Sequence, residues 1–123
     1  MAKFPFTPLE VRQALLEDRL IIGSHARFRI DECNITDVRS KIHALARTGI
    51  YSECYSQKGR CAVLTGRVDG SDYRLILAPH WTSTTLLFAV TFYRMTLDCE
   101  IGQNFRKFGG GAVTYFFNGA QSA

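Results

Sequence analysis

The sequence predicts an α+β domain in which N-terminal helices pack on one face of a four- to five-stranded antiparallel sheet. Apolar residues recur at three- and four-residue intervals as far as Gly49, and at alternate positions after it. The second half is punctuated by the turn pairs Lys58-Gly59 and Asp69-Gly70, set between runs rich in β-branched and aromatic residues. With 46% hydrophobic residues, 9 Phe and 5 Tyr, the 123 residues can close one core, so a single domain is expected over 1–123. Within it, 1–23 carries an N-terminal helix, 24–94 the core and 95–123 a C-terminal extension.

The first helix starts at a capping signal. Thr7 accepts from the backbone as N-cap, Pro8 suits the first turn, and Glu10 three positions on completes a capping box. Val11, Ala14, Leu15 and Arg19 share a side, so this helix is read to about Arg19. Gly23 breaks it. Ser24 then caps a second helix over 25–33, with Ala26, Ile30 and Cys33 on one side and Asn34 suited to the left-handed residue that ends it. A third helix is read over 36–47, with Thr36 as cap and Ile42, Leu45 and Ala46 as its apolar side, until Gly49 stops it.

Strands are read at 50–57, 60–68, 72–79 and 84–94. A two-residue turn at Lys58-Gly59 sets Cys54 against Val63 and Cys61 against Ser56, so the two sulfurs are not opposed. Asp69-Gly70 suits a type I′ turn, which needs positive φ at both residues, and it sets Leu64 against Leu75 and Thr65 against Arg74. Leu75, Leu77, Leu86, Phe88, Val90 and Phe92 then form the face toward the helices, with Arg74, Thr91 and Tyr93 on the opposite, open face. After Met95 the pattern weakens: Gly109, Gly110 and Gly111 make a hinge before the aromatic run 112–117, read as an extra edge strand or a partner-binding arm.

The formal charge of +4 and pI near 9.0 favour polyanionic partners, because Lys and Arg displace counterions from phosphates. No apolar run is long enough to span a bilayer, and no export signal or anchor is read. Cys33, Cys54, Cys61 and Cys99 form no Cys-x-x-Cys pair, so four reduced thiols and a cytoplasmic location are expected. The Gly-rich phosphate loop, the Gly-x-Ser-x-Gly elbow and the His-Glu-x-x-His helix are all missing, which argues against P-loop hydrolysis and zinc proteolysis. No cofactor or metal is expected.

The chemistry-bearing stretch is Ser24-His25-Ala26-Arg27-Phe28-Arg29. His25 and Arg29 are four apart on one helical face, so an imidazole sits beside a permanent guanidinium. Cleaving RNA without metal takes a base for the ribose 2′-hydroxyl, a cation for the phosphorane oxygens and an acid for the leaving oxygen. His25 suits base or acid, and Arg29 the cation. Taken alone the pair is weak evidence, since most exposed His and Arg on helices are solvated surface. Trp81, after His80, either stacks on a base or packs over the sheet edge. Lys58, Arg60 and Arg67 flank hairpins, where they are solvated or track phosphates. His43, on the third helix, is read as surface or half-buried.

His-Ala-x-x-Arg at 25–29, then Ile35-Thr36-Asp37-Val38, Gly49 and Val90-Thr91-Phe92-Tyr93-Arg94 resemble, in order and spacing, a family of small prokaryotic toxin-like domains. That family is similar to the superfamily of barnase, EndoU, the colicin nucleases and the RelE toxins. The resemblance covers about residues 20–94. It implies helices packed on a four-stranded antiparallel sheet, metal-independent RNA cleavage on the open face, and a cognate inhibitor protein, antitoxin or immunity, as a second partner beside RNA. By position, His25 and Arg29 match the family's His and Arg, and Thr91 and Tyr93 match the polar residues of its last strand. The strand register adds Arg74 to that catalytic set. Arg27, Lys58, Arg60, Trp81 and Arg94 stand as nucleic-acid contacts. Cys33-Asn34 departs from the family's Arg-Gly: Asn34 can serve the glycine's backbone role, and the arginine is missing.

Overall fold

The computed structural model describes residues 4–56, 59–80 and 85–95, with the backbone of 114–116. Three helices, α1 (Pro8–Leu16), α2 (Ser24–Glu32) and α3 (Val38–Thr48), accompany strands β1 (Leu20–Ile22), β2 (Ile50–Ser56), β3 (Gly59–Val68), β4 (Ser71–Pro79), β5 (Leu87–Arg94) and β6 (Thr114–Phe116). The strands form one sheet in the order β2-β3-β4-β5-β1-β6. The α+β class is as predicted, and the sheet is antiparallel except where β1 runs parallel to β5.

α1 begins as its sequence dictates. The Thr7 hydroxyl accepts from the Glu10 N–H at 3.1 Å, and the Glu10 carboxylate accepts from the Thr7 N–H at 2.8 Å. It ends at Leu16, short of the expected Arg19, because Asp18 takes a left-handed φ of 60° and turns the chain into β1. All three residues of β1 are buried, as befits an inner strand covered on both faces, so no alternation marks it. The predicted side-chain caps of the next two helices are not used. Gly23 is the N-cap of α2 and Asp37, at φ 51°, that of α3, neither with a side-chain bond. Asn34 is left-handed, as read.

The core lies between the helices and one sheet face. Val11, Ala14 and Leu15 of α1, Ala26 and Ile30 of α2, and Ile42, Leu45 and Ala46 of α3 meet Ala62, Leu64, Leu75, Leu77, Leu87, Ala89 and Phe92. Each fully buried Leu or Phe contributes about 1.5–3 kcal/mol of transfer free energy. Tyr73 stacks on Phe92 with ring centroids 5.6 Å apart. Arg12 ties α1 to the end of α3, donating to the carbonyls of Ala46 at 3.1 Å and Gly49 at 2.9 Å. Only glycine fits at 49, where a Cβ would stand 2.6 Å from the Leu45 oxygen.

Two registers differ from the sequence reading. The first hairpin closes with Ser56 opposite Gly59, one residue earlier than a Lys58-Gly59 turn would have it. Cys54 is therefore directly opposite Cys61 instead of Val63. In β5 the pairing slips between Ile76 and Leu77, which face Thr91 and Ala89 respectively and leave Val90 as a bulge. Beyond the bulge the expected alternation reverses: Leu87 and Ala89 enter the core with Phe92, whereas Leu86, Phe88 and Val90 are only partly buried. The second hairpin has the predicted register, Leu64 to Leu75 and Thr65 to Arg74, with Asp69 at φ 51° and Gly70 at φ 82°.

Cys33 is disulfide-bonded, which corrects the expectation of four reduced thiols and removes its support for a cytoplasmic location. Among the described residues no helix is long and apolar enough to cross a membrane.

A buried polar knot links α1 to α3. Asp18, 5% exposed, accepts from Arg39 through both carboxylate oxygens and lies 2.7 Å from His43 Nε2. His43 is accordingly half-buried and engaged. Hydrogen bonds from Arg39 hold the Asp18 carboxyl below the ordinary carboxylate range against the opposing effect of burial. A carboxylate lowered on folding contributes stability that is complete above the unfolded value and is lost as the pH falls through the folded one. Asp18→Asn keeps a residue that tolerates left-handed φ and is expected to cost about 1–2 kcal/mol at neutral pH, since exposed Arg39 limits the ion pair's worth. Urea titrations across the acid range should show the variant losing less stability than wild type; parallel acid curves would overturn the assignment.

Candidate active site

The short β1 creates the site. It pairs with 87–89 of β5 on one side and with β6 on the other, and Gly23 then turns the chain into α2, which packs against β5. Ala26 and Ile30 face the helical core, while one turn away Arg29 meets Tyr93, a side chain pointing to the opposite face from Phe92. α2 thus flanks β5 and offers one stripe to each side of it.

That second stripe is His25, Arg29 and Glu32. The Arg29 guanidinium lies over the Tyr93 ring, 4.3 Å from the centroid to Cζ, with Nε 3.9 Å from Glu32 Oε1. Arg29 is 1% exposed. Tyr93 is opposite Arg74 of β4, and Thr91, 7% exposed, points to the same face two residues along. Neither Thr91 Oγ1 nor Arg74 Nε has a hydrogen-bond partner among the described residues, although both atoms are shielded from water. His25 is half-buried; burial, then the Arg29 guanidinium, push its pKa below the ordinary histidine value, with Glu32 opposing.

Of the sequence-derived catalytic candidates, Arg74, Thr91 and Tyr93 share one sheet face, Arg29 packs on Tyr93, and His25 lies one helical turn from Arg29. The structure changes the part open to Arg29. Its guanidinium is buried against Tyr93 and Glu32, whereas Arg74 on β4 is half-buried. Glu32 is the residue that sequence reasoning missed; its signal was the 25–29–32 spacing, one helical stripe.

Of the proposed nucleic-acid contacts, Arg27, Arg60 and Arg94 lie elsewhere. Arg27 is exposed and 3.6 Å from Asp31. Arg60 lies on Tyr55 at 4.7 Å and bonds Glu53 at 2.7 Å, on the other side of the sheet from Cys61. Arg94 donates to the Cys33 carbonyl at the end of α2. Lys58 and Trp81 lie outside the described residues, as do the glycine hinge and the side chains of the 112–117 run.

Chemically, the residues combine an imidazole whose pKa is lowered, two guanidiniums and two hydroxyls. No three His, Cys, Asp or Glu side chains among the described residues are grouped to hold a metal. A cleft lined by Pro5, Phe6, Glu10, Gln13, Arg19 and Thr85 sits at α1, apart from these residues. No family model, no curated protein and no solved structure matches the chain.

Proposed function

We propose that the chain is a metal-independent endoribonuclease of toxin type, with RNA as substrate and a cognate antitoxin or immunity protein as its second partner. The observation that carries this reading is that the α2 stripe of His25 and Arg29 meets, through Arg29 on Tyr93, the sheet face that bears Arg74 and Thr91. A net charge of +4 and the resemblance of residues 20–94 to the toxin-like family support it.

His25, its pKa lowered by burial and by Arg29, takes the proton of the ribose 2′-hydroxyl. The oxygen attacks the adjacent phosphorus, forming the O2′–P bond as the P–O5′ bond breaks. The terminal guanidinium nitrogens of Arg74 donate to the phosphorane oxygens, and the leaving 5′-oxygen takes its proton from Tyr93 or from protonated His25. The products are a 2′,3′-cyclic phosphate and a 5′-hydroxyl.

Purified protein in chelator should cleave RNA to cyclic-phosphate ends. His25→Ala should lower the rate by about 100-fold or more with an unchanged melting curve. Because burial and Arg29 lower the His25 pKa, the acid limb of the pH–rate profile should lie below the usual histidine range. RNA left intact by folded protein across several substrates would sink the reading.

The burial of Arg29 and Thr91 favours a second reading, a non-catalytic module that binds RNA or a protein on this face. There His25→Ala would leave binding nearly unchanged and Arg74→Glu would weaken it.

A further inference from the structure

The corrected register of the first hairpin places two thiols together. Cys54 on β2 and Cys61 on β3 are directly opposed, and both are reduced while Cys33 is disulfide-bonded. Directly opposed residues of antiparallel strands have Cα atoms about 4.5 or 5.5 Å apart, depending on the type of pair, and both distances lie in the range a disulfide bridges. Cys54 is half-buried and open to a small reagent, whereas Cys61 is 0% exposed. That asymmetry orders the chemistry.

We propose that Cys54 and Cys61 are a redox-active dithiol, Cys54 the attacking and Cys61 the resolving group, that reacts with low-molecular-weight disulfides. The Cys54 thiolate attacks a disulfide sulfur, forming a mixed disulfide and releasing one thiolate. The Cys61 thiolate then attacks the Cys54 sulfur, closing the Cys54–Cys61 bond and releasing the second. The dithiol is oxidised by two electrons, and the reagent is reduced to two thiols that carry away both protons. Burial and the neighbouring Cys61 push the Cys54 thiol up, with Arg74 opposing, so the exchange quickens in mild alkali. The inference stands on strand register and holds whether or not the chain cleaves RNA.

Full-length protein equilibrated with glutathione disulfide at about pH 8.5, then alkylated and mapped by mass spectrometry, tests it. Wild type should lose two hydrogens in a Cys54–Cys61 cross-linked peptide and retain no glutathione, and reduced glutathione should reopen that bond. Cys61→Ala should hold glutathione stably on Cys54. Wild-type protein that keeps both thiols alkylatable, or that carries glutathione on Cys54 without a cross-link, would overturn the proposal; both readings use the unaltered chain and do not depend on a variant folding.

Discussion

Arg29→Ala is expected to destabilise the fold by about 3–5 kcal/mol, because it removes one member of a buried charge pair. The Arg29 side chain is 1% exposed and the Glu32 side chain beside it 8%. Removing the guanidinium leaves that carboxylate in a site that water hardly reaches, and takes away the cation packed on the Tyr93 ring. For a domain of this size the loss corresponds to a melting temperature lower by roughly 10–20 °C. The double variant Arg29→Met, Glu32→Gln removes both charges and keeps most of the volume, so its stability should return close to wild type. NMR titration of His25 in that variant gives a second readout. Without the guanidinium, the imidazole pKa should rise toward the value set by burial alone. An Arg29→Ala midpoint equal to wild type would mean that Arg29 neither packs on Tyr93 nor balances Glu32.

The second large effect tests the bulge. Leu87 is 0% exposed and belongs to the core, so Leu87→Ala should cost about 2–5 kcal/mol, whereas Leu86→Ala, at a half-exposed position, should cost about 1 kcal/mol or less. Uninterrupted alternation along β5 reverses the ranking, because it turns Leu86 inward and Leu87 outward. Denaturant midpoints of the two variants decide between the registers.

These two residues show what a sequence can and cannot convey. The change of period at Gly49 and the Asp69-Gly70 turn are local signals, and the Leu64–Leu75 pairing they imply is the one observed. The candidate site was legible for the same reason. His25 and Arg29 share a helical stripe, and the turn fixed Arg74 on the face of Thr91 and Tyr93. A bulge leaves no such mark: Val90 is an ordinary strand residue, and nothing in its side chain announces the shift of register against β4. β1 is three apolar residues long, too short for any period and buried on both faces. The loop of the first hairpin moved by one residue, enough to bring Cys54 opposite Cys61. The depth of Arg29 depends on α2 lying along β5, which follows from β1 and was invisible without it.

The parallel pairing of β1 with β5 also bears on how the chain reaches this structure. Leu20 and Leu87 are about 70 residues apart, and neither can complete its backbone bonds before the other has been synthesised. The three hairpin-linked strands β2, β3 and β4 can assemble from local contacts, while the apolar Leu20–Ile22 segment, made first, waits for a neighbour made late. Slow closure with an early exposed strand is the expected kinetic signature, and the waiting strand is where a nascent chain would most readily capture a second copy of itself.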